Sequence, residues 1–201
     1  MMPTRELLCR DRRLVLGHEP LIVGILNITD DSFSDGGRFL APKAAIDHAH
    51  RLAAEAAAVI GAERQAINPG YAEISIEEET RRVVPVIREL SRSLDVPLSI
   101  DTYRPAVARA ALEAGAHIVN DIHGLQRDPS MAPVIAESGA AAILMHNDPA
   151  FPGLPADADV IPPMKSFFAR TLDLAARAGL DPARIILDPG IGFAKTQPQN
   201  L

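Results

Sequence analysis

Apolar residues in this chain fall into short dense runs separated by polar, proline-bearing and glycine-bearing turns, and runs of helical spacing alternate with them. The first such run, LIVGIL from Leu21 to Leu26, is too short for a free-standing helix and carries β-branched residues. It predicts a strand buried on both faces. The run ends at Asn27, and from there to Gly36 and Gly37 every side chain is polar or small apart from Ile28 and Phe33. The glycine pair permits backbone angles that other residues resist, so the strand opens into a carboxylate-rich hinged loop.

Beyond that loop, Ala41 to Ala58 is alanine-rich, and Ile46, Ala49, Ala53 and Ala57 share one face of a helix. Ser75 and Glu78 form a capping box for a helix whose apolar face is Val83, Val86, Ile87, Leu90 and Leu94, with Pro85 expected to kink it. VPLSID (Val96 to Asp101) reads as a strand, PAVARAALEA (Pro105 to Ala114) as a helix stopped by Gly115, and HIVND (His117 to Asp121) as a strand. The helix Ser130 to Ser138 ends at Gly139, AAILMHN (Ala141 to Asn147) is a strand, Met164 to Ala178 a helix, and RIILDPG (Arg184 to Gly190) a strand. Leu14 to Leu16 is a short apolar patch, and Asp148 to Met164 a long Pro- and Ala-rich connection read as an ordered surface loop. Regular alternation of this kind implies a parallel sheet with helices outside it.

Composition narrows the function classes. With 201 residues and 47% hydrophobic content, residues 1–201 read as one domain with a sizeable core. A net charge of -6 with scattered basic residues, 4% aromatics and no Trp argues against nucleic acid as a partner. No apolar run approaches a membrane span, and the opening MMPTRELLCRDRR lacks the apolar core of a signal peptide. The single cysteine, Cys9, has no internal partner, and a cytoplasmic location is expected.

The strands end in polar residues: Asn27, then Asp101 and Thr102, Asn120 and Asp121, His146 and Asn147, and Asp188. In a parallel α/β fold those ends converge on one rim. Each residue alone reads equally well as a helix cap or a turn. His146 reads as a packed rim histidine, and Asp47, His48 and His50 as solvated helix residues. Together the rim offers donors and acceptors suited to a heterocycle bearing N–H and amino groups. No Ser-His-Asp set, P-loop or thiolate metal spacing accompanies it, and helix amino termini and Gly-rich turns such as Pro189 to Gly192 suit a phosphate.

GILNITDDSFSDGG (Gly24 to Gly37), SIDTY (Ser99 to Tyr103), VNDI (Val119 to Ile122), LMH (Leu144 to His146) and LDPGIGFAKT (Leu187 to Thr196) resemble, in order, the signature segments of the dihydropteroate synthase family. The resemblance implies an α/β TIM (β/α)8 barrel, here truncated after about six βα units. It also implies condensation of 6-hydroxymethyl-7,8-dihydropterin pyrophosphate with para-aminobenzoate to 7,8-dihydropteroate and pyrophosphate, with Mg2+ as cofactor, a homodimeric assembly and sulfonamides as inhibitors. By position, Asp101, Asn120 and Asp188 match pterin-binding residues, and Met145 lines their pocket. Asn27 matches the contact to Mg2+ and pyrophosphate, Phe33 and Asp35 belong to a closing first loop, and Pro69 and Phe193 lie on the para-aminobenzoate side. The family reaction resembles a dissociative displacement in which charge stabilisation and positioning dominate.

Two departures accompany the likeness. AAAVIGAERQAINPGYA (Ala56 to Ala72) lacks the Thr and Arg of the family's second loop, since Ile67 and Asn68 stand there on the gapless alignment. Apolar Ile67 offers no hydroxyl and Asn68 no guanidinium. The family's later Ser-Arg-Lys and Arg-x-His segments have no counterpart before Leu201. A pterin-binding protein without synthase activity is therefore the second reading, and a barrel passing methyl groups from a pterin to a corrinoid the third.

Overall fold

The computed structural model describes residues 4–17, 19–28, 40–64, 74–149, 155, 157–193 and 195–200. Its main body is one six-stranded parallel sheet whose strands follow each other in sequence order: β3 (Val23–Ile28), β4 (Val59–Arg64), β5 (Leu98–Asp101), β6 (Ile118–Asp121), β7 (Ala141–Met145) and β8 (Ile185–Asp188). The chain opens with β1 (Arg5–Cys9) and β2 (Arg12–Leu16), an antiparallel hairpin outside that sheet. Helices α1 (Leu40–Ala54), α2 (Ile76–Ser93), α3 (Pro105–Glu113), α4 (Met131–Ser138) and α5 (Ile161–Arg177) fill the connections between successive parallel strands, and the short α6 (Gln197–Asn200) follows the last. A doubly wound sheet reverses its strand order at a switch point. This order never reverses, which is the winding of a TIM barrel wall.

Strand alternation splits the core in two. On the outer face, Leu26, Ile28, Ile60, Leu98, Ile100, Val119 and Leu144 pack against Val83, Val86, Ile87, Leu90, Val107 and Ile135 of the helices. On the inner face, Val59, Ile118 and Ala141 pack against Leu7 and Cys9 of the hairpin, with Leu14, Leu16, Ile143 and Ile186 partly buried beside them. The sequence patch at Leu14 to Leu16 is thus half of a plug under the inner face. Its pairing partner RELLC mixes charged and apolar residues too closely to announce a strand. Cys9 sits at this floor, and burial pushes its thiol up to about 11, far from nucleophilic use.

Two arginines tie the plug down. Arg10 Nη1 donates to the carbonyls of Leu112 and Ala116, both at 2.8 Å, and Arg184 Nη1 donates to those of Leu8 at 3.2 Å and Gly139 at 2.5 Å.

Several element boundaries differ from the expectation. α1 stops at Ala54 rather than Ala58, because Ala56 takes the left-handed conformation (φ 72) and Ala58 N–H already donates to Ile22 O at 2.8 Å. α5 begins at Ile161 rather than Met164, since Pro162 and Pro163 suit a first turn whose N–H groups need no partner. α2 continues as one helix through Pro85, and the Ser75 hydroxyl accepts Glu78 N–H at 3.2 Å, which is half of a capping box, while the Glu78 carboxylate turns instead to Arg81 and Arg82. Among the described residues β3 and β8 are paired on one side only, and Val23, Ile25 and Leu187 are their exposed apolar positions.

Candidate functional site at the carboxyl ends of the strands

Each parallel strand places one last side chain on the inner face. The register aligns Asn27 with Glu63, Glu63 with Asp101, and Asp101 with Asn120, so four polar residues lie side by side across β3 to β6. Met145 of β7 and Asp188 of β8 form the next aligned pair. The same face is apolar lower down, at Val59, Ile118 and Ala141. Polarity therefore changes along each strand from a plugged floor to a polar mouth.

Within the row, Asn120 Nδ2 donates to Asp101 Oδ2 at 3.0 Å. That bond fixes the amide's orientation, and Asn120 Oδ1 is buried and accepts no hydrogen bond among the described residues. A buried acceptor of this kind favours an N–H-bearing ligand over an empty apolar space. At the end of β8, Asp188 Oδ1 accepts the N–H of Gly190 at 2.8 Å, and Asp188 O accepts His146 N–H at 2.8 Å. Met145 is buried, packed with Tyr103 and Ile122 into a small apolar cluster beside the polar row. The Arg127 guanidinium lies over the Tyr103 ring, 4.0 Å from its centroid.

The structure separates residues that the sequence had grouped. Asp121 faces the helices, where its two carboxylate oxygens accept the N–H groups of His123 at 2.9 Å and Leu125 at 2.8 Å. Burial raises its pKa. It is a turn-forming residue. His146 is buried with its ring edge-on to Phe167, centroids 4.8 Å apart, and burial, then the nearby Lys195 charge, keeps its pKa below the ordinary value. Phe193 is half exposed on the turn after β8. Phe33, Asp35 and Pro69 lie outside the described residues.

Two further groups belong to the mouth and had drawn no attention in the sequence. Glu63 is half-buried beside Asn27 and Asp101, and burial raises its pKa. Only its alternation with Val59 and Gly61 could have assigned it to the inner face. Lys195 Nζ donates to the carbonyls of Gly190 at 2.9 Å and Phe193 at 3.1 Å, holding the post-β8 turn closed. Burial lowers its pKa, and the Asp188 carboxylate opposes that shift. The mouth thus combines three carboxylates, two amides and one ammonium, a set able to bind a heterocycle's N–H groups and an anionic substituent together. No metal-sized cluster of His, Cys, Asp and Glu occurs among the described residues. No described helix is long and apolar enough to cross a membrane.

Comparison with known proteins matches residues 23–201 to the family model described as pterin binding enzyme. The chain is 43% identical over 183 residues to the dihydropteroate synthase of Mycobacterium leprae, an alignment covering 89% of this chain. It spans 64% of that relative's length. Among solved structures, the Xanthomonas albilineans dihydropteroate synthase with 4-aminobenzoic acid superposes with a TM-score of 0.86 at 38% identity, over 98% of this chain and 71% of that one. The same enzyme in complex with 7,8-dihydropteroate gives 0.78 at 37% identity, over 97% and 69%. A family model spanning the whole parallel sheet, with its polar mouth, makes this chain a member of the pterin binding enzyme family.

Proposed function

We propose that this chain provides the pterin-binding part of a cytoplasmic dihydropteroate synthase, which joins 6-hydroxymethyl-7,8-dihydropterin pyrophosphate to para-aminobenzoate and releases pyrophosphate. The observation that carries this reading is the Asp101–Asn120 pair: its internal bond leaves one buried amide oxygen without a partner among the described residues, and Asp188 adds a carboxylate at the end of β8, two strands along the sheet. A pterin presents ring N–H and amino donors to such acceptors, and a ligand lacking them would leave the acceptors unsatisfied. Met145, buried beside the polar row, supplies the flat apolar contact a ring requires. Phe193 and the connection containing Pro69 are assigned to para-aminobenzoate, and the loop of Phe33 and Asp35 to closure over the substrates. The carbon–oxygen bond to pyrophosphate breaks, the aminobenzoate nitrogen takes that carbon and the nitrogen loses its proton.

Mg2+ prefers hard oxygen donors, and the Asn27 amide oxygen with the neighbouring Glu63 carboxylate fits that preference. These two residues would hold the ion, which when bound neutralises charge on pyrophosphate. The remaining work falls to positioning by the side chains of the mouth, such as Asn120 held by Asp101. The test mixes purified protein with the pterin pyrophosphate, para-aminobenzoate and Mg2+ and follows pyrophosphate release. Turnover is expected; its absence at high protein concentration, with the pterin still bound, would sink the synthase reading.

A further inference from the structure

Glu79 is a carboxylate in the first turn of α2 and is only 1% exposed, although nothing in its helix requires a charge to be buried there. Its two oxygens are taken by two different residues beyond β5. Thr102 Oγ1 donates to Oε1 at 2.8 Å, and Arg104 Nη1 donates to Oε2 at 2.8 Å. The same Arg104 nitrogen donates to Ile74 O at 2.7 Å, and Arg104 N–H donates to Thr102 Oγ1 at 3.2 Å. Thr102 is itself buried, and its N–H donates to Asn120 O at 3.1 Å, carrying the β5–β6 ladder one step past Asp101.

The network joins the end of β5 to the stretch that enters α2. Thr102 directly follows Asp101, so the hydroxyl held by Glu79 sets the backbone from which the Asp101 carboxylate meets Asn120. Ile74 is the first described residue after 65–73, where the connection from β4 returns to α2. Breaking a buried, fully paired carboxylate strands its partners, so this arrangement resists displacement far more than a surface ion pair would.

We propose that Glu79 is a positioning residue for ring recognition, holding Asp101 through Thr102 and the return of the β4–α2 connection through Arg104. The proposal rests on the pterin reading above. Its role is to preset the Asp101–Asn120 geometry before a ligand arrives, so that binding need not order those groups.

The test compares 7,8-dihydropteroate affinity by calorimetry for the wild type, Glu79→Gln, Thr102→Val and Thr102→Ser, at a temperature where circular dichroism shows each folded. Glu79→Gln and Thr102→Val should bind about tenfold more weakly or worse, equivalent to about 1.4 kcal/mol. Thr102→Ser, which keeps the hydroxyl, should bind within about twofold of wild type, an offset of about 0.4 kcal/mol. A purely structural network would lower the melting point while leaving affinity of the folded protein unchanged, and that result overturns the proposal. Wild-type protein that fails to bind overturns the pterin reading and this proposal with it, whereas equal binding by wild type and variants overturns the positioning role alone. If Thr102→Val does not fold, Glu79→Gln against Thr102→Ser decides.

Discussion

The α-carbon of Gly190 lies so close to the carbonyl of His146 that a β-carbon there would stand 2.7 Å from that oxygen. Gly190 also takes φ +66 and donates its N–H to Asp188 at 2.8 Å. Gly190→Ala therefore meets left-handed strain and a backbone clash together, at a cost of about 2 kcal/mol or more. Urea unfolding should show that loss, and calorimetry a weaker affinity for 7,8-dihydropteroate as Asp188 is displaced. Wild-type stability in the variant would contradict the packing described.

The Asp101–Asn120 bond carries a second prediction. In Asn120→Asp two carboxylates face each other at the 3.0 Å separation now held by a hydrogen bond, and both cannot stay ionised there. Pterin affinity at pH 7.5 should fall at least about tenfold, or about 1.4 kcal/mol. Two carboxyls sharing one proton regain a hydrogen bond, so the deficit should shrink as the pH is lowered toward about 5. Titrations at the two pH values check it, and a deficit independent of pH would count against direct apposition.

Much of this arrangement was legible because strands leave dense apolar runs: LIVGIL, PLSI, AHIV, AAILM and RIIL each mark a strand position closely, although β3, expected to be buried on both faces, exposes Val23 and Ile25 on its inner one. Asp101, Asn120 and Asp188 were visible as the polar residues that end those runs. Glu63 was not, because Gly61 and Ala62 thin the run before it and cross-strand register is no property of a single segment. Glu79 looked like any acidic residue of a helix first turn, and only tertiary packing buries it. The hairpin plug escaped for a related reason: Glu6, Arg12 and Arg13 interrupt its apolar positions, and its buried side is defined by Ile118 and Ala141 from distant strands.

His117 should make stability pH-dependent below neutrality. It is buried, its Nδ1 accepts Leu98 N–H at 3.1 Å, and burial holds its pKa below the ordinary 6.5 despite Asp11 nearby. The unfolded chain therefore takes up this proton before the native one does. The contribution is fully present above pH 6.5 and is lost as the pH falls from there toward the lowered native value. Burial of Glu63 and Asp121 acts in the opposite sense in the carboxylate range, so the comparison is best made against His117→Gln. Between about pH 7.5 and 5.5 the wild type should lose more unfolding free energy than this variant, by at most about 1.4 kcal/mol per pH unit. Parallel pH profiles would remove His117 as the cause.

The hairpin and the mouth occupy opposite ends of the inner face, which separates stability from recognition. Arg184 fastens the plug by donating to Leu8 O and Gly139 O, and Gly139 O also accepts Arg10 N–H at 3.2 Å. Arg184→Met keeps most of the apolar stem and removes the donors. Leu8 O then depends on solvent, while Gly139 O keeps one partner, so the loss should be about 2 kcal/mol rather than the sum of two charged hydrogen bonds. No part of this change reaches Asp101, Asn120 or Asp188, which end the strands whose other ends the plug covers. Urea unfolding should therefore register the loss while the dissociation constant for 7,8-dihydropteroate stays within about twofold, or about 0.4 kcal/mol, of wild type. A large change in affinity with stability intact would mean that plug and mouth are mechanically coupled through the strands, contrary to the division seen in the two cores.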